Sequence, residues 1–444
     1  MRVFKDEFEP RVLGALREAE RCLQCYDPPC AKGCPAGVDV KRFIGMMQKG
    51  EYEEAAALIE KDNPLGLICG YICPSANTCQ KNCVSKKLGK PIDIRALQAF
   101  TIEEARRQGA FGSRDYDTLR VNENGVIRKE NGDRHGSGRI AVIGAGPAGI
   151  SAAFYLTRFG YEVTLFEQSD KIGGRLSLGI PEFRVTSELV AEEVGEVLKG
   201  VDVRTGVRFG KDITAEQLKE QGFIGVMICT GKFGSKRTAL EGTATEGLFD
   251  AEDILNSDGW KAEGHERAVV IGAGNVAVDV ARTLVRNGVR EVSICYRGSN
   301  SEVKAIQEER EEAYQDNITL QLHAVPFRAE GEDKLTGITF HRSESLRDEN
   351  GKRKLVELPA EYDFTVPCDM AVFAVGYEVE SEELKEQGIE MERGVIFTKD
   401  YATNLPCVYA AGDAMGGKLA VEAVGMGKAA AIAMDDHIRE VNAK

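Results

Sequence analysis

The chain lacks the features of several protein classes. It has no excess of positive charge, because 57 lysines and arginines face 71 aspartates and glutamates and the formal net charge is −14. This balance argues against nucleic acid or an anionic membrane as the main partner. No apolar run approaches the roughly 20 residues of a membrane span, and the charged start of the chain predicts no signal peptide. We therefore expect a cytoplasmic protein with neither nucleic acid nor a membrane as its partner.

Aromatic residues are also few, at 7% of the sequence, whereas glycine is abundant, with 48 residues among 444. Glycine lets a backbone approach a phosphate group closely, so this count favours a fold with several such contacts. The length and the hydrophobic content of 43% are enough for about two to four ordinary domains.

Eight of the twelve cysteines lie between residues 22 and 83, in the runs C-x2-C-x4-C-x3-C-P and C-x3-C-P-x4-C-x3-C. A disulfide framework does not fit a long chain in a reducing compartment. Zinc ribbons use two CxxC pairs, and only Cys22 and Cys25 form one. The runs are most similar to ferredoxin sequences, in which the last cysteine before proline ligates the other cluster. They predict two iron–sulfur clusters of the four-iron type (4Fe-4S).

The segment between the two cysteine runs has helical apolar spacing, and Asn63-Pro64 is expected to end its second helix. We therefore predict a helical iron–sulfur domain over residues 1–110. The remaining four cysteines stand singly among apolar residues, which predicts small buried side chains: Cys229, Cys295, Cys368 and Cys407.

A dinucleotide-binding motif follows a polar, glycine-rich stretch that we interpret as a linker at 111–138. A strand at Arg139–Ile143 enters the loop GAGPAG, a helix follows, and a second strand ends at an acidic residue. This order of strand, glycine loop, helix and acid is specific for dinucleotide binding. The pyrophosphate would lie at the helix N-terminus, and the acid would accept from the ribose hydroxyls. The candidate ligands are Gly144, Gly146, Pro147, Ala148, Gly149 and Glu167.

The same unit recurs at 268–297 with the loop GAGNVA. Its second strand ends in Tyr296-Arg297 where the first unit has an acid, and a basic residue suits the 2′-phosphate of NADPH. Two units of different character predict FAD at the first and a nicotinamide cofactor at the second. The candidate contacts in the second loop are Gly272, Gly274, Asn275 and Val276.

A third motif, TNLPCVYAAGD at 403–413, places Gly412 and Asp413 after a short strand at Val408–Ala410, with a helix expected at 419–434. It resembles the second FAD motif of flavoproteins with two dinucleotide domains, in which the aspartate holds the ribityl chain. Turns containing Gly231 and Gly376 resemble the points at which such chains cross between domains. We expect an α/β fold with a discontinuous FAD domain, 139–256 and 377–444, and an inserted NAD(P)H domain, 257–376.

One absence separates enzyme classes. Disulfide reductases of this fold carry a redox-active cysteine pair shortly after the first FAD unit or in the nicotinamide domain. Neither 173–185 nor 263–376 contains a CxxC or CxxxxC pair. We therefore do not expect a disulfide reductase, and the remaining electron acceptors in the chain are the N-terminal clusters.

The order of these domains resembles the electron-input module shared by the glutamate synthase small subunit and the N-terminal half of dihydropyrimidine dehydrogenase, over nearly the whole chain. The stretch GGRLSLGIPEFR at 173–184 is similar in both families. The cluster domain is more similar to the pyrimidine enzyme, in DVKRFI, NPLGLICGYICP and GKPIDIRALQAF. The GGRLSLGIPEFR resemblance implies FAD contacts by Gly174, Arg175, Leu176 and Arg184.

The same resemblance implies crosswise ligation, with one ligand set of Cys22, Cys25, Cys30 and Cys83 and another of Cys34, Cys73, Cys79 and Gln98. Cys69 would then be left over. Glutamate synthase small subunits tend to have an acidic residue where Gln98 stands.

In the nicotinamide domain, the family's basic residues correspond to Arg297 and Lys304. A third basic position of the family is Gly298 here. The prediction of NADPH therefore leaves NADH open.

The resemblance implies an NAD(P)H-oxidising FAD/iron–sulfur subunit that passes electrons to an FMN- or iron–sulfur-containing catalytic subunit. Our main hypothesis is the dihydropyrimidine dehydrogenase that reduces uracil or thymine. The alternatives are a glutamate synthase small subunit or related complex, and a stand-alone NAD(P)H:ferredoxin-type flavoprotein. Because hydride transfer depends on positioning, we expect no catalytic acid or base, and no site for an organic substrate in this chain.

Overall fold

The computed structural model describes residues 8–109, 120–121, 127–128, 136–256, 260–350 and 353–442. Most of the linker predicted at 111–138 lies outside these residues. The chain divides into two compact units. The first contains Met1–Ser177, Glu182–Lys232 and Val379–Lys444, and the second contains Leu178–Pro181 and Phe233–Glu378. The second unit is thus an insertion in the sequence of the first.

The N-terminal part of the first unit is helical, as predicted. Aspartate side chains cap two of its helices, since Asp39 accepts from the backbone N–H of Arg42 and Asp93 from that of Ala96. Its largest buried side chains include Phe43, Ile44, Met47, Ile59, Leu97 and Phe100. The helices are α1 (Phe8–Glu20), α2 (Pro29–Lys32), α3 (Val40–Met47), α4 (Tyr52–Asp62), α5 (Gly66–Ile72) and α6 (Ile94–Arg107), with 3-10 turns at Ser75–Asn77, Gln80–Asn82 and Val84–Leu88.

A parallel sheet begins after this domain. The predicted strand at 139–143 and the helix after the glycine loop are both present, and Glu167 directly follows the second strand. The elements are β1 (Arg120–Val121), β2 (Ile127–Arg128), β3 (Arg139–Ile143), α7 (Pro147–Phe159), β4 (Glu162–Phe166), α8 (Arg175–Leu178), α9 (Ser187–Val197), β5 (Asp202–Arg204), α10 (Ala215–Glu220) and β6 (Phe223–Ile228). β1 and β2 form a separate antiparallel pair.

The second unit combines a parallel sheet with an antiparallel one. Its elements are β7 (Gly234–Ser235), β8 (Leu248–Asp250), α11 (Ala251–Leu255), β9 (Arg267–Ile271), α12 (Asn275–Arg286), β10 (Glu291–Tyr296), α13 (Gln307–Gln315), β11 (Thr319–Leu322), β12 (Ala324–Glu330), β13 (Gly337–Arg347), β14 (Arg353–Glu357), β15 (Phe364–Pro367), β16 (Met370–Phe373) and β17 (Tyr377–Glu378), with 3-10 turns at Asn300–Glu302 and Ala360–Tyr362. The strand order of the parallel sheet is β11-β10-β9-β16-β8. In the antiparallel sheet, β12, β14 and β15 each pair with β13.

The strand pairing in this parallel sheet places the start of the inserted domain earlier than the sequence predicted. We placed the start of the inserted domain at residue 257, but the structure places it at Phe233. The reason is that β8 pairs in parallel with β16, so the segment around 248–250 belongs to the second sheet. At the other end the unit closes at Glu378, two residues after the predicted position.

The chain then returns to the first unit through α14 (Glu382–Glu386), β18 (Met391–Glu392), β19 (Val395–Ile396), β20 (Val408–Ala410), a 3-10 turn at Gly412–Met415 and α15 (Ala420–Asn442). β20 completes a five-stranded parallel sheet of order β20-β6-β3-β4-β5. α15 packs against α7 and continues past residue 434, where the sequence predicted its end.

Three of the four scattered cysteines are buried as expected, but Cys407 is exposed. Cys407 stands immediately before β20 in a left-handed conformation, with φ of +60°. Its carbonyl accepts from the backbone N–H of Val226 at 3.0 Å. The residue therefore serves the sheet through its backbone, while its side chain lies at the surface.

Candidate cofactor sites

Two glycines of the first phosphate loop are required by the protein's own packing. Gly144 has φ of +99°, and a Cβ added there would lie 2.5 Å from the carbonyl oxygen of Cys229. A Cβ added to Gly149 would lie 1.9 Å from the carbonyl oxygen of Gly144. These glycines let the loop close tightly between β3 and α7.

Gly146 and Gly274 differ from them, because no protein atom crowds either position. The nearest atom to a Cβ on Gly146 is the Cα of Gly174 at 4.0 Å, and nothing lies within 4 Å of one on Gly274. Each is the N-cap of the helix that follows, α7 and α12 respectively. Free space at a helix N-terminus is where a pyrophosphate would approach the backbone. The residues of both loops therefore fit a dinucleotide.

Glu167 braces the first loop. It is only 6% exposed, and its two carboxylate oxygens accept from the backbone N–H groups of Ala145 at 2.7 Å and Ser169 at 2.9 Å. A carboxylate oxygen can accept a second hydrogen bond. Glu167 can thus hold the loop and still accept from a ribose hydroxyl.

Asp413 lies in a polar group that the sequence only partly predicted. Burial raises the pKa of its carboxyl to about 6, against the opposing effect of nearby Lys232 and Arg175. The Arg175 guanidinium donates to the carbonyl oxygen of Lys232 at 2.8 Å. Two residues before Lys232, the buried Thr230 Oγ1 has no hydrogen-bond partner among the described residues. An orphaned hydroxyl and a buried carboxylate suit a polar ligand such as the ribityl chain of FAD.

Other predicted FAD residues gather around the same loop. A Cβ on Gly174 would lie 2.8 Å from the Cα of Gly146, and one on Gly412 would lie 2.7 Å from the Cβ of Ala148. Leu176 is buried next to Arg175, Gly231 follows β6, and Pro147 is the first residue of α7. Arg184 is half-buried in the turn before α9.

In the second unit, Lys304 lies beside the other phosphate loop. The backbone N–H groups of Lys304 and Ala305 both donate to the carbonyl oxygen of Ala273 at 3.1 Å. Asn275 Oδ1 accepts from the backbone N–H of Ile306 at 3.2 Å. Arg297 and Lys304 are exposed, and neither forms an ion pair with an acid in the described part of the chain. Two such cations suit a phosphate group.

The residues near this loop also explain the glycine at 298. A Cβ there would lie 2.9 Å from the Tyr296 ring and 3.0 Å from a carboxylate oxygen of Glu302. That oxygen accepts from the Ser299 backbone and hydroxyl at 2.8 and 2.7 Å and from the Ser345 hydroxyl at 2.6 Å. These hydrogen bonds lower the pKa of Glu302 to about 2. Of the other predicted residues, Val276 is half-buried on α12, and Gly376 is exposed after β16.

The thiols of the helical domain form two groups that cross the sequence order. Cys22 lies within electrostatic range of Cys83 and Cys25, and Cys30 within range of Cys83 and Cys22. Separately, Cys79 lies within range of Cys73 and Cys34, and so does Cys69. Burial raises the pKa of Cys30 and Cys73 to about 11 and that of Cys79 to about 12. We call Cys22, Cys25, Cys30 and Cys83 the first thiol group, and Cys34, Cys73 and Cys79 the second.

Neither group has the geometry of a single-ion site. Across the described ranges, no three His, Cys, Asp or Glu side chains converge closely enough to hold one metal ion. A zinc ion with Zn–S bonds near 2.3 Å requires sulfurs about 3.8 Å apart. Cysteine thiolates are also the donors that four-iron clusters use, so the chemistry of both thiol groups fits such clusters.

Gln98 and Cys69 both lie at the packing of α5 against α6. A Cβ on Gly70 would lie 2.8 Å from the backbone nitrogen of Ala99, so the two helices touch next to Gln98. Gln98 Nε2 donates to the carbonyl oxygen of Gly66 at 2.7 Å, and its Oε1 accepts no hydrogen bond from a described residue. The buried Cys69 thiol contacts Asn63 Oδ1 at 3.9 Å and lies within electrostatic range of Cys73 and Cys34.

Comparison with known proteins identifies the family. The model described as pyridine nucleotide-disulphide oxidoreductase matches residues 138–427, and the one described as dihydropyrimidine dehydrogenase domain II, 4Fe-4S cluster, matches residues 4–110. The chain belongs to the pyridine nucleotide-disulphide oxidoreductase family. It is an NAD(P)H-dependent flavoprotein oxidoreductase with an iron–sulfur domain, which confirms the predicted fold class, enzyme class and family resemblance.

Two relatives illustrate the range of this oxidoreductase family. The NADP(+)-dependent formate dehydrogenase subunit beta of Moorella thermoacetica is 33% identical over 430 residues, a match of 93% of this chain but only 60% of that relative's length. The NAD-dependent dihydropyrimidine dehydrogenase subunit PreT of Escherichia coli O157:H7 is 32% identical over 444 residues, covering 98% of this chain and 97% of PreT.

Solved structures of two other proteins agree on the fold. FprA from Mycobacterium tuberculosis, as its His57Gln mutant, superposes with a TM-score of 0.60 at 17% identity, over 69% of this chain and 86% of that one. Thioredoxin reductase from T. acidophilum gives 0.51 at 24% identity, over 68% and 99%.

The described residues of the second unit include no accessible thiol pair. Cys295 and Cys368 share one apolar cluster, but each is only 1% exposed. Burial raises the pKa of both thiols, that of Cys368 to about 12. Because the thiolate is the reactive form, two buried neutral thiols do not act as a disulfide-reducing pair.

Among the described residues, no helix has the length and apolar content to cross a membrane.

Proposed function

We propose that this oxidoreductase is the electron-input subunit of a two-component dehydrogenase, and that its partner is a catalytic subunit of the dihydropyrimidine type, which reduces uracil or thymine. The observation that carries the proposal is the presence of two dinucleotide loops and two separate thiol groups in one chain. The match to PreT along the length of both chains supports the choice of partner.

The first phosphate loop and the group around Asp413 would hold FAD, and the second loop would hold the nicotinamide cofactor. When bound, FAD accepts a hydride and releases single electrons, which iron–sulfur clusters relay. Gly146 would admit the pyrophosphate, Glu167 would orient the ribose, and Asp413 would accept hydrogen bonds from the ribityl hydroxyls. The corresponding domains are 139–232 with 379–444 for FAD, and 233–378 for NAD(P)H.

The cations beside the second loop favour NADPH. The exposed Arg297 and Lys304 side chains have no acidic partner among described residues, so a 2′-phosphate would meet two free positive charges. The Glu302 carboxylate accepts hydrogen bonds from the hydroxyls of Ser299 and Ser345. Its negative charge is therefore stabilised by these neighbours.

The two thiol groups would each hold one 4Fe-4S cluster, with Gln98 as the fourth ligand of the second group. The free Oε1 of Gln98 supports this role, because its Nε2 is already fixed by the Gly66 carbonyl. Cys69 is the competing donor. Since such clusters require reduced thiols, we place the protein in the cytoplasm.

Anaerobic reconstitution tests the cofactor content directly. We expect one FAD and about eight irons per chain, with bleaching of the flavin by NADPH. A count of about four irons contradicts two clusters, and a chain that binds no flavin contradicts the proposal. A Gln98→Cys variant whose second-cluster spectrum is unchanged shows that Gln98 is not a ligand.

Purification with the native partner tests the substrate class. A co-purifying FMN subunit that consumes NAD(P)H with uracil or thymine supports the dihydropyrimidine assignment. The Moorella thermoacetica relative, a formate dehydrogenase subunit, makes formate the second substrate to assay. Turnover of formate with NADP+, without turnover of either pyrimidine, would replace the first assignment with the second.

A further inference from the structure

Large apolar side chains are exposed next to the first thiol group. Tyr26 is 101% exposed, Leu88 77% and Leu23 47%. Leu23 and Tyr26 stand between cysteines of the first run, and Leu88 follows Cys83 by five residues. Exposed apolar side chains gathered in one place mark contact surfaces more often than free ones. Tyrosine in particular is enriched where proteins meet.

The two segments that carry these side chains lie together. The Arg21 guanidinium donates to the carbonyl oxygen of Lys90 at 2.6 Å, and the Ser85 hydroxyl donates to the carbonyl oxygen of Arg21 at 3.5 Å. We name the resulting area the cluster-side surface. It consists of Leu23, Tyr26, Lys81, Lys86, Lys87, Leu88 and Lys90.

The cluster-side surface is basic in a protein that is otherwise acidic. Residues 79–90 contain four lysines and no acid, although the whole chain has a net charge of −14. All four lysines are exposed, and none forms an ion pair with an acid in the described residues. The neighbouring Lys32, by contrast, is paired with Asp27 at 2.6 Å. Exposed apolar side chains beside four lysines without acidic partners complement an acidic partner protein.

We propose that the cluster-side surface docks an acidic redox protein, which takes electrons one at a time from the chain. The inference rests on the proposed function. For each NAD(P)H oxidised to NAD(P)+ and a proton, two electrons leave and two one-electron acceptors are reduced. Leu23 and Tyr26 stand between Cys22, Cys25 and Cys30 along the chain, so the first thiol group is the exit that adjoins this surface. The lysines steer the acceptor toward it.

The test uses the reconstituted holoprotein and rubredoxin, a small acidic one-iron protein, as the probe. We compare the wild type with a variant that changes all four lysines of 79–90 to glutamate, and a milder one that changes them to glutamine. The matched control changes four exposed lysines elsewhere to glutamate: Lys199, Lys211, Lys219 and Lys385. Rubredoxin reduction by NADPH is measured at about 20 mM and about 300 mM salt.

We expect the glutamate variant to lose at least about tenfold in the second-order rate at low salt, and the glutamine variant to lose less. The control should keep the wild-type rate and its decline with salt. Equal losses in the surface and control variants, or no loss in either, overturn the proposal. So does a surface whose lysines bind heparin or anionic vesicles while rubredoxin reduction is unchanged.

Two further readouts separate this inference from the proposed function. Reduction of ferricyanide by NADPH and the visible spectrum report whether the cofactors work, and should be the same in all four proteins. NMR line broadening of labelled rubredoxin reports docking even if no NADPH is oxidised. Normal ferricyanide activity without lysine-dependent broadening contradicts the docking surface alone, whereas absent activity with normal broadening contradicts the proposed function alone.

Discussion

A buried carboxylate on α9 connects the parallel-sheet part of the first unit to its helical N-terminal part. Glu193 on α9 is 0% exposed. Its two oxygens accept from the backbone N–H groups of Leu67 and Ile68, each at 2.8 Å. These groups belong to the first turn of α5, which ends directly before Cys73. We predict that Glu193 fixes α5 and thereby the position of the second thiol group.

The cost of Glu193→Gln follows from its two hydrogen bonds. Glutamine keeps one acceptor oxygen, but its amide nitrogen would face the other backbone N–H, which would then be buried without an acceptor. A hydrogen bond to a charged group contributes about 1.5–3 kcal/mol, and an unsatisfied buried donor costs about 1–3 kcal/mol. Since removal of a buried charge recovers part of its desolvation penalty, we expect a net loss of about 2–4 kcal/mol in the free energy of unfolding.

Urea denaturation of the apoprotein measures this loss, and amide hydrogen exchange locates it. Exchange should accelerate across Gly66–Ile72 well before the parallel sheet. In the holoprotein, the electron paramagnetic resonance signal of one cluster should broaden or disappear while the other persists. A purely global effect on stability would not distinguish the two signals.

The neighbouring Glu192 provides the matched control. It also lies on α9, but its side chain is 61% exposed and pairs with Arg106 at 3.2 Å. Exposed ion pairs contribute less than about 1 kcal/mol, so Glu192→Gln should have little effect. If Glu193→Gln destabilises no more than Glu192→Gln, or if both clusters weaken together, the reasoning is refuted.

Three further predictions address the cofactor sites. Cys30→Ser and Cys34→Ser, four residues apart in sequence, should alter different clusters, as electron paramagnetic resonance would show; loss of the same signal in both contradicts the crosswise grouping. Asp413→Asn should stabilise the apoprotein at pH 7–8 by about 2–3 kcal/mol, because burial holds the pKa of this carboxyl at about 6 and disfavours its ionised form. That gain should shrink as the pH falls through 6 and vanish below about pH 4, where both folded and unfolded wild-type chains are protonated; a gain independent of pH in urea titrations would refute it. Arg297→Ala should raise the KM for NADPH at least about tenfold and that for NADH by less than about twofold, and equal increases in steady-state assays would exclude a 2′-phosphate contact.

The sequence predicted most of the fold because its signals are local. β3 and β20 have the predicted ends, since each is an apolar run that stops at a glycine-containing turn. The misplaced domain boundary has an equally local reason. β8 has three residues, all half-buried, and so short a strand carries no period that could assign it to one sheet or the other.

The sequence predicted those site residues that belong to a recognisable motif. It did not predict single polar side chains that reach the site only after the chain has folded. Lys232 lies near Asp413 and Thr230 lies beside Gly144, and no spacing rule connects either residue to the FAD motifs. Glu193 did leave a signal, because it occupies the apolar face of α9 with Val190, Val194 and Val197. A charged residue in such a stripe predicts a buried partner, although it does not identify that partner.

The crosswise grouping that we propose for the cysteines agrees with one close contact between the two runs. α2 carries Cys30 and ends at Gly33, directly before Cys34. A Cβ on Gly33 would lie 2.4 Å from Asn82 Nδ2 and 3.0 Å from the carbonyl oxygen of Thr78, so the first run touches the second between Cys30 and Cys34. Cys79 and Cys83 directly follow the two contact residues of the second run. This contact brings cysteines of both runs to one place, as crosswise ligation of two clusters requires.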